Sequence, residues 1–332
     1  MNPSFLLELD SPPIRRRQRW FARLRQAAKW TWQALLFDPL WFLQRPGRDR
    51  AELGSSIFAR LARGLLYRLM GIPFMVAAIA AVMVFNGTHP PLSAQAADPQ
   101  SVGVYYDPVS FMADDGTRLE GWLVPVVDAQ RVLHEKEGVI REQSPAAILV
   151  HDFGATAEQM LPLIRPLHNA GFVVLVVSLR GSDSRTPAGQ TFGLRESGDV
   201  RAAIDVLHKR PNIDQHRIAI VGEGTGATAA LLAAQDDSSI AALVLDHPIT
   251  RTDDLISRIG PGQWWLLWMR PMCKWTFDFA YNVDANDVDM YHLQSTMQSR
   301  PCLLMDQGSH GLNRQATEHL TDFLTKKLKP AG

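Results

Sequence analysis

With 332 residues, 46% of them hydrophobic, the chain can bury at least one large core, and its length admits one or two domains. Its formal net charge of zero conceals a split: residues 1–68 carry 13 Lys and Arg against 5 acids, whereas the rest carries 21 against 29, so the two portions face different surroundings. Two cysteines, Cys273 and Cys302, are too few and too far apart for a zinc site or a disulfide framework; they read as separate buried thiols, with pairing after export as the alternative.

Within the basic portion, 1–68, the stretch from Arg15 to Leu43 interleaves Arg15, Arg16, Arg19, Arg23 and Lys29 with Trp20, Trp30, Trp32 and Trp41. A basic, Trp-rich segment lies in the interface of an anionic leaflet with its rings at headgroup depth, so membrane lipid is the expected partner and packing on another protein the alternative. Nucleic acid is not expected, because no recognition motif accompanies the charge. From Arg68 to Asp98 no charged residue intervenes, and Gly71 to Phe85 is almost wholly apolar, which predicts a transmembrane helix over 69–87. All 13 basic residues precede it, so the positive-inside rule puts the N-terminus in the cytoplasm and exports the chain beyond the span. Ala94-Gln95-Ala96 resembles a signal-peptidase site, but an n-region of roughly 70 residues is longer than a cleaved leader usually has, so an uncleaved, single-pass signal anchor is expected, with cleavage as the alternative; both export the domain beyond. A Pro-containing linker, 88–103, comes next.

From about Val104 the pattern changes to a domain of 104–332. Val109 to Met112 and Thr117 to Val124 read as strands joined at the turn Asp114-Asp115-Gly116. The charged stretch 128–144 carries no sustained apolar face and reads as a surface insertion. Strand and helix then alternate: strand 146–150, helix 157–169, strand 172–177, helix 194–208, strand 218–221, helix 227–234, and strands 240–245 and 301–305. Such alternation specifies a mostly parallel, doubly wound α/β sheet with helices on both faces and its site at the carboxyl ends of the strands. At Gly222-Glu223-Gly224-Thr225-Gly226 the strand meets the helix with almost no linker. That is the shape of a nucleophile elbow, G-x-S-x-G, with Gly224 where the serine would stand.

Four stretches, YYDPVSFMADDGTRLEGWLVP, AAILVHDFGATAEQM, SLRGSDSRTPAGQTFGLRESGDVRAAIDVL and RIAIVGEGTGA, together resemble the α/β-hydrolase superfamily in its serine aminopeptidase and esterase-like branch. The likeness runs from Tyr105 to Asp246 and implies an α/β-hydrolase fold with a short cap over about 250–300. It also implies a triad in which an elbow serine attacks a carbonyl, a histidine takes its proton and a carboxylate orients the histidine.

Residue by residue, that triad is incomplete. Gly224 offers no nucleophile. Thr225 carries the nearest hydroxyl but occupies the following position, whose usual contribution is its backbone N–H to the oxyanion. The second oxyanion donor is expected from the loop His151-Asp152-Phe153-Gly154, at Phe153, where Asp152 would repel the charge such a site stabilises. Asp152 could instead serve as a loop cap, although Thr156 is the better candidate for that, and His151 reads as a packed strand-end histidine. His310, in Gly308-Ser309-His310-Gly311, matches the family's histidine if 301–305 is the last strand; if it is the penultimate one, Ser309 or His310 falls at the acid position. Asp246 is the remaining candidate acid, and Glu223 reads as a structural or solvated carboxylate.

The cap segment is aromatic, with Trp264, Trp265, Trp268, Trp275, Phe277 and Phe279. It suits an acyl or peptide ligand, lipid or a protein partner, or else simply covers the sheet. The reading is a membrane-anchored hydrolase-fold protein, catalytically impaired and acting as a binding or scaffolding module. The alternative is an active esterase or peptidase using Thr225 or an activated water with His310. A third reading gathers His151, Asp152, Glu223, Asp246, His247 and His310 around a metal, although no ligand spacing supports it and no cofactor is expected.

Overall fold

The run VVLVVS, Val173–Ser178, is buried along its whole length, as only a strand covered on both faces of a sheet can be. In the computed structural model, which describes residues 57–91, 95–126, 143–182, 188–235, 237–305 and 314–329, this run lies inside a seven-stranded sheet. The strands are β1 (Asp107–Met112), β2 (Arg118–Val124), β3 (Ser144–Val150), β4 (Val173–Ser178), β5 (Ile213–Glu223), β6 (Ile240–Asp246) and β7 (Cys302–Met305). They are ordered β1-β2-β4-β3-β5-β6-β7, with β2 antiparallel to both neighbours and every other pair parallel.

The helices are α1 (Ile57–Thr88), α2 (Leu161–Asn169), α3 (Glu196–His208), α4 (Thr225–Gln235), α5 (Thr252–Ile259), α6 (Arg270–Tyr281), α7 (Met290–Gln298) and α8 (Arg314–Leu328). Alternate residues of the central strands feed two cores. One packs Ile148, Val150, Ile218 and Ile220 under α3, α4 and the cap; the other packs Ala147, Leu149, Ala219 and Val221 under α2 and α8. This is the doubly wound layering expected of alternating strand and helix. Helices α5 to α7 and a 3-10 turn, Trp264–Met269, form the cap between β6 and β7. The expected helix over 157–169 is split, opening as a 3-10 turn (Ala157–Met160) before α2, and Thr156 precedes it without a side-chain capping bond. Both cysteines are unpaired, Cys273 buried in α6 and Cys302 opening β7.

The chain divides into two compact units between Ala78 and Ile79, inside α1. Arg68–Thr88 is apolar and long enough to cross a bilayer, with 11% of its most hydropathic window buried. Its final turns belong to the second unit: Ala80, Val84 and Thr88, one face at a spacing of four, are buried there. Thr88 Oγ1 lies 2.6 Å from the Tyr281 hydroxyl of α6, and the Thr88 carbonyl accepts from the Gln190 N–H at 2.8 Å. A linker expected to begin at 88 therefore begins with a residue locked into the domain. The basic segment before residue 57, residues 128–142 of the insertion expected over 128–144, and residues 306–313 lie outside the described residues; Ser144, expected in that insertion, instead opens β3.

Candidate functional site

Three glycines build the turn between β5 and α4. A Cβ at Gly222 would lie 2.6 Å from Ala227 Cα, and one at Gly226 would lie 2.6 Å from the Val150 carbonyl oxygen, so strand and helix meet closely only without side chains there. Gly224 itself has φ +56, the left-handed conformation an elbow nucleophile must hold, and its N–H donates to the Asp246 carbonyl at 2.8 Å. The elbow is thus fully formed around a residue with no side chain.

The space beside it is filled by Asp152. Its Oδ1 accepts from the Phe153 N–H and from the Thr225 N–H, both at 2.7 Å. These are the two backbone donors that the family resemblance assigns to an oxyanion, one from the loop after β3 and one from the first turn of α4. A Cβ added at Gly224 would collide with the Asp152 carboxyl group. One carboxylate therefore occupies both the oxyanion position and the volume of the missing serine side chain. Charge-assisted bonds to two N–H groups at a helix start are the strong kind, so it is well held.

Asp152 is steered there by its neighbours. Its own N–H donates to Gln159 Oε1 at 2.8 Å, and the Gly154 N–H donates to Gln190 Oε1 at 2.9 Å, which fixes the loop from both sides. His151 is fully buried: its Nε2 accepts from the Leu179 N–H at 3.1 Å, leaving the proton on Nδ1, which donates to the Asp152 carbonyl at 2.8 Å. Both ring nitrogens are committed to backbone, as a packed strand-end histidine requires. Neither glutamine stands out in the sequence, since a side chain that orients a backbone loop leaves no spacing signature.

The other candidates gather around this point without forming a triad among the described residues. Asp246 ends β6, is 1% exposed, and pairs through Oδ1 with His247 Nδ1 at 2.8 Å. Glu223 stands in register with Asp246 on the adjacent strand. Burial, then the charges of Asp246 and Asp152, push its carboxyl up to about 7. Thr225 is buried in the first turn of α4, and it is its backbone N–H that reaches the site. His310, with Ser309, lies outside the described residues. β7 pairs directly with β6 and is followed by α8, an order that both alignments of 301–305 allow. Among the described residues no three His, Cys, Asp or Glu side chains come together as a metal site.

Rings close over the loop. Phe153 stacks on Phe192 at 4.8 Å, Phe192 meets Phe277 of α6 at 6.3 Å, and Phe277 meets Tyr281 at 5.4 Å. This aromatic column links the Asp152 loop to the end of α1 through the Tyr281–Thr88 contact. Buried Arg180 binds buried Asp199 of α3 and the exposed Asp115 of the β1–β2 turn. Although burial opposes its charge, the Arg180 guanidinium holds Asp115 well below the usual carboxylate range. These bonds anchor the strand-end loops rather than any reacting group.

Known proteins share parts of this arrangement. The Dienelactone hydrolase family matches residues 130–259. The Escherichia coli (strain K12) protein YfhR is 24% identical over 205 residues, 61% of this chain and 67% of that one. Protein bem46 of Schizosaccharomyces pombe is 22% identical over 165 residues, 49% of this chain and 51% of its own, so the chain spans between half and about two thirds of these relatives. The solved Pyrococcus furiosus esterase Pf2001 superposes with a TM-score of 0.50 at 16% identity, covering 73% of this chain and 98% of that one, which shows a shared fold.

Proposed function

Taking as premise that the chain belongs to the α/β-hydrolase superfamily, we propose that it is disarmed as a serine hydrolase and acts as a membrane-anchored binding or scaffolding module. The observation that carries this reading is the Asp152 carboxylate held by the Phe153 and Thr225 N–H groups at the side-chain-free Gly224. Loss of the serine oxygen removes covalent catalysis. Occupation of the donors removes the electrostatic remainder, since each oxyanion donor is worth about 10²–10³ in kcat. A carbonyl substrate would have to displace a carboxylate tethered one residue from its donor. The anchor is Arg68–Thr88, with the N-terminus on the cytoplasmic side by the charge step at Arg68.

The test is a hydrolysis screen on short p-nitrophenyl esters and aminoacyl amides. Wild type and Gly224→Ser are both expected to be inert, the latter because the new side chain meets Asp152. The pair Asp152→Gly with Gly224→Ser is expected to gain at least about 10²-fold over wild type by reopening the donors, and adding His310→Ala is expected to remove that gain. Ester turnover by wild type that His310→Ala abolishes would sink the proposal.

Glu223 favours one alternative. A carboxyl group pushed up to about 7 beside the elbow can pass a proton near neutrality, as a general base for water must. On that reading hydrolysis proceeds with an activated water, His310 and no serine, and Glu223→Gln silences whatever activity wild type has.

A further inference from the structure

Two cap helices begin at one open pocket of about 750 Å³. α5 starts there after Arg251 without a side-chain cap, while α6 continues from the preceding 3-10 turn with the Arg270 N–H donating to the Leu267 carbonyl, so the positive field at the pocket comes from the start of α5 and from side chains. Arg251, Arg270 and Lys274 line the pocket with Asp253 and Asp289. Lys274 is already paired with Asp278 at 2.6 Å and Asp284 at 3.3 Å, and Arg251 approaches Asp253 only at 3.9 Å. Arg270 has no ion pair among the described residues, and its buried Nε has no hydrogen-bond partner. Arg270 is only part-buried and lines the pocket, and phosphate is a counter-ion that a guanidinium lacking an ion pair fits well.

The chain leading into Arg270 is the 3-10 turn Trp264–Met269, where Trp264, Trp265 and Trp268 are 83, 59 and 63% exposed. Trp275 and Phe279 of α6 stack on each other at 5.6 Å and are exposed as well. All five large rings stand in water along the chain from Trp264 to Phe279, and tryptophan beside arginine is the composition of a headgroup layer.

The end of α1 lies against the same helices. Its backbone at Gly87 packs so closely on the end of α5 that a Cβ there would sit 3.0 Å from Ile259 Cα, and Thr88 touches Tyr281 of α6. A span that leaves the bilayer where Ala80 enters the core of the domain therefore brings α5 and α6, which pack on the turns after it, up to the headgroups.

We infer that the cap is a lipid-binding surface, in which the exposed tryptophans enter the headgroup layer and the Arg251–Arg270 pocket takes the phosphate of an anionic phospholipid. The inference rests on the proposed anchoring by Arg68–Thr88. Its test uses the full chain in nanodiscs of phosphatidylcholine, alone or mixed with phosphatidylglycerol, with amide exchange followed separately over 69–79 and over 262–272. Exchange over 262–272 is expected to slow about five-fold for each engaged cation when the anionic lipid is added. Arg251→Ala and Arg270→Gln should each remove one such step while leaving 69–79 unchanged.

Protection at 69–79 with no lipid dependence at 262–272 overturns the inference and leaves the anchor standing. Exchange at 69–79 as fast in nanodiscs as at an unprotected amide overturns the anchor, and the inference with it. Millimolar inorganic phosphate in pure phosphatidylcholine discs reproducing the slowing at 262–272 makes the pocket a site for soluble phosphate and overturns the commitment to lipid.

Discussion

Asp152 and Gly224 are each ordinary as single residues; their meaning comes from sharing one volume. The sequence displays both features, a carboxylate in the loop expected to supply an oxyanion donor and a glycine where the elbow serine would stand. Their 72-residue separation hides the fact that one fills the space left by the other. Glu223 is illegible in the sequence for a related reason. Its environment is made by Asp246 from the neighbouring strand and Asp152 from the loop after β3, neither of which is near it in the chain. Its carboxyl, ionising at 4.5 in a free chain and at about 7 in the fold, leaves the folded state holding a proton that the unfolded state has lost between those values. Stability is therefore greatest below about pH 4.5 as far as this group is concerned, and declines as pH rises towards 7. Urea midpoints measured across that range should fall with pH in wild type and fall less steeply in Glu223→Gln, where the buried Asp199, raised to about 6, still contributes; parallel slopes in the two would show that Glu223 does not contribute.

Strands and helices are legible where local pattern decides them. The hairpin turn at Asp114-Asp115-Gly116, the buried strand Val173–Ser178 and the strand–elbow–helix all stand where periodicity and glycine placement put them. β5 runs longer than its apolar core because Ile213 pairs with Ser144 before a bulge, a register no periodicity contains. The end of α1 is the least legible element, since the stripe Ala80, Val84 and Thr88 looks like any apolar helix face until Tyr281 and Gln190 meet it. The elbow depends on close approach as well as φ. Gly226→Ala places a methyl against the β3 carbonyls and should cost about 1–3 kcal/mol in thermal or urea unfolding. Gly262→Ala, with nothing within 4 Å of the added carbon, should stay within about 0.5 kcal/mol. Equal effects from the two would mean that the turn is looser than its geometry.

Across the whole molecule, the charge asymmetry of the sequence becomes a statement about placement. The 13 basic residues of 1–68 and the net acidic remainder meet at Arg68, where the apolar segment of α1 begins. Protease added to the non-cytoplasmic side of sealed vesicles should digest the domain beyond Thr88 while sparing a tag at the N-terminus. Digestion of the tag alone would reverse the orientation, and loss of both would place the chain outside the membrane. The aromatic column from Phe153 to Tyr281 runs from the loop beside the elbow to the end of the proposed anchor helix, so both pack into one core.

The Asp152 contact also has a historical side. Starting from this chain, a serine restored at 224 is blocked by the carboxylate, and a carboxylate removed from 152 exposes donors with nothing to attack. On the proposed disarmed reading each single step back is without benefit to hydrolysis, so a lineage carrying both residues would sit behind a ratchet, free to change what it binds and barred from serine hydrolysis one substitution at a time.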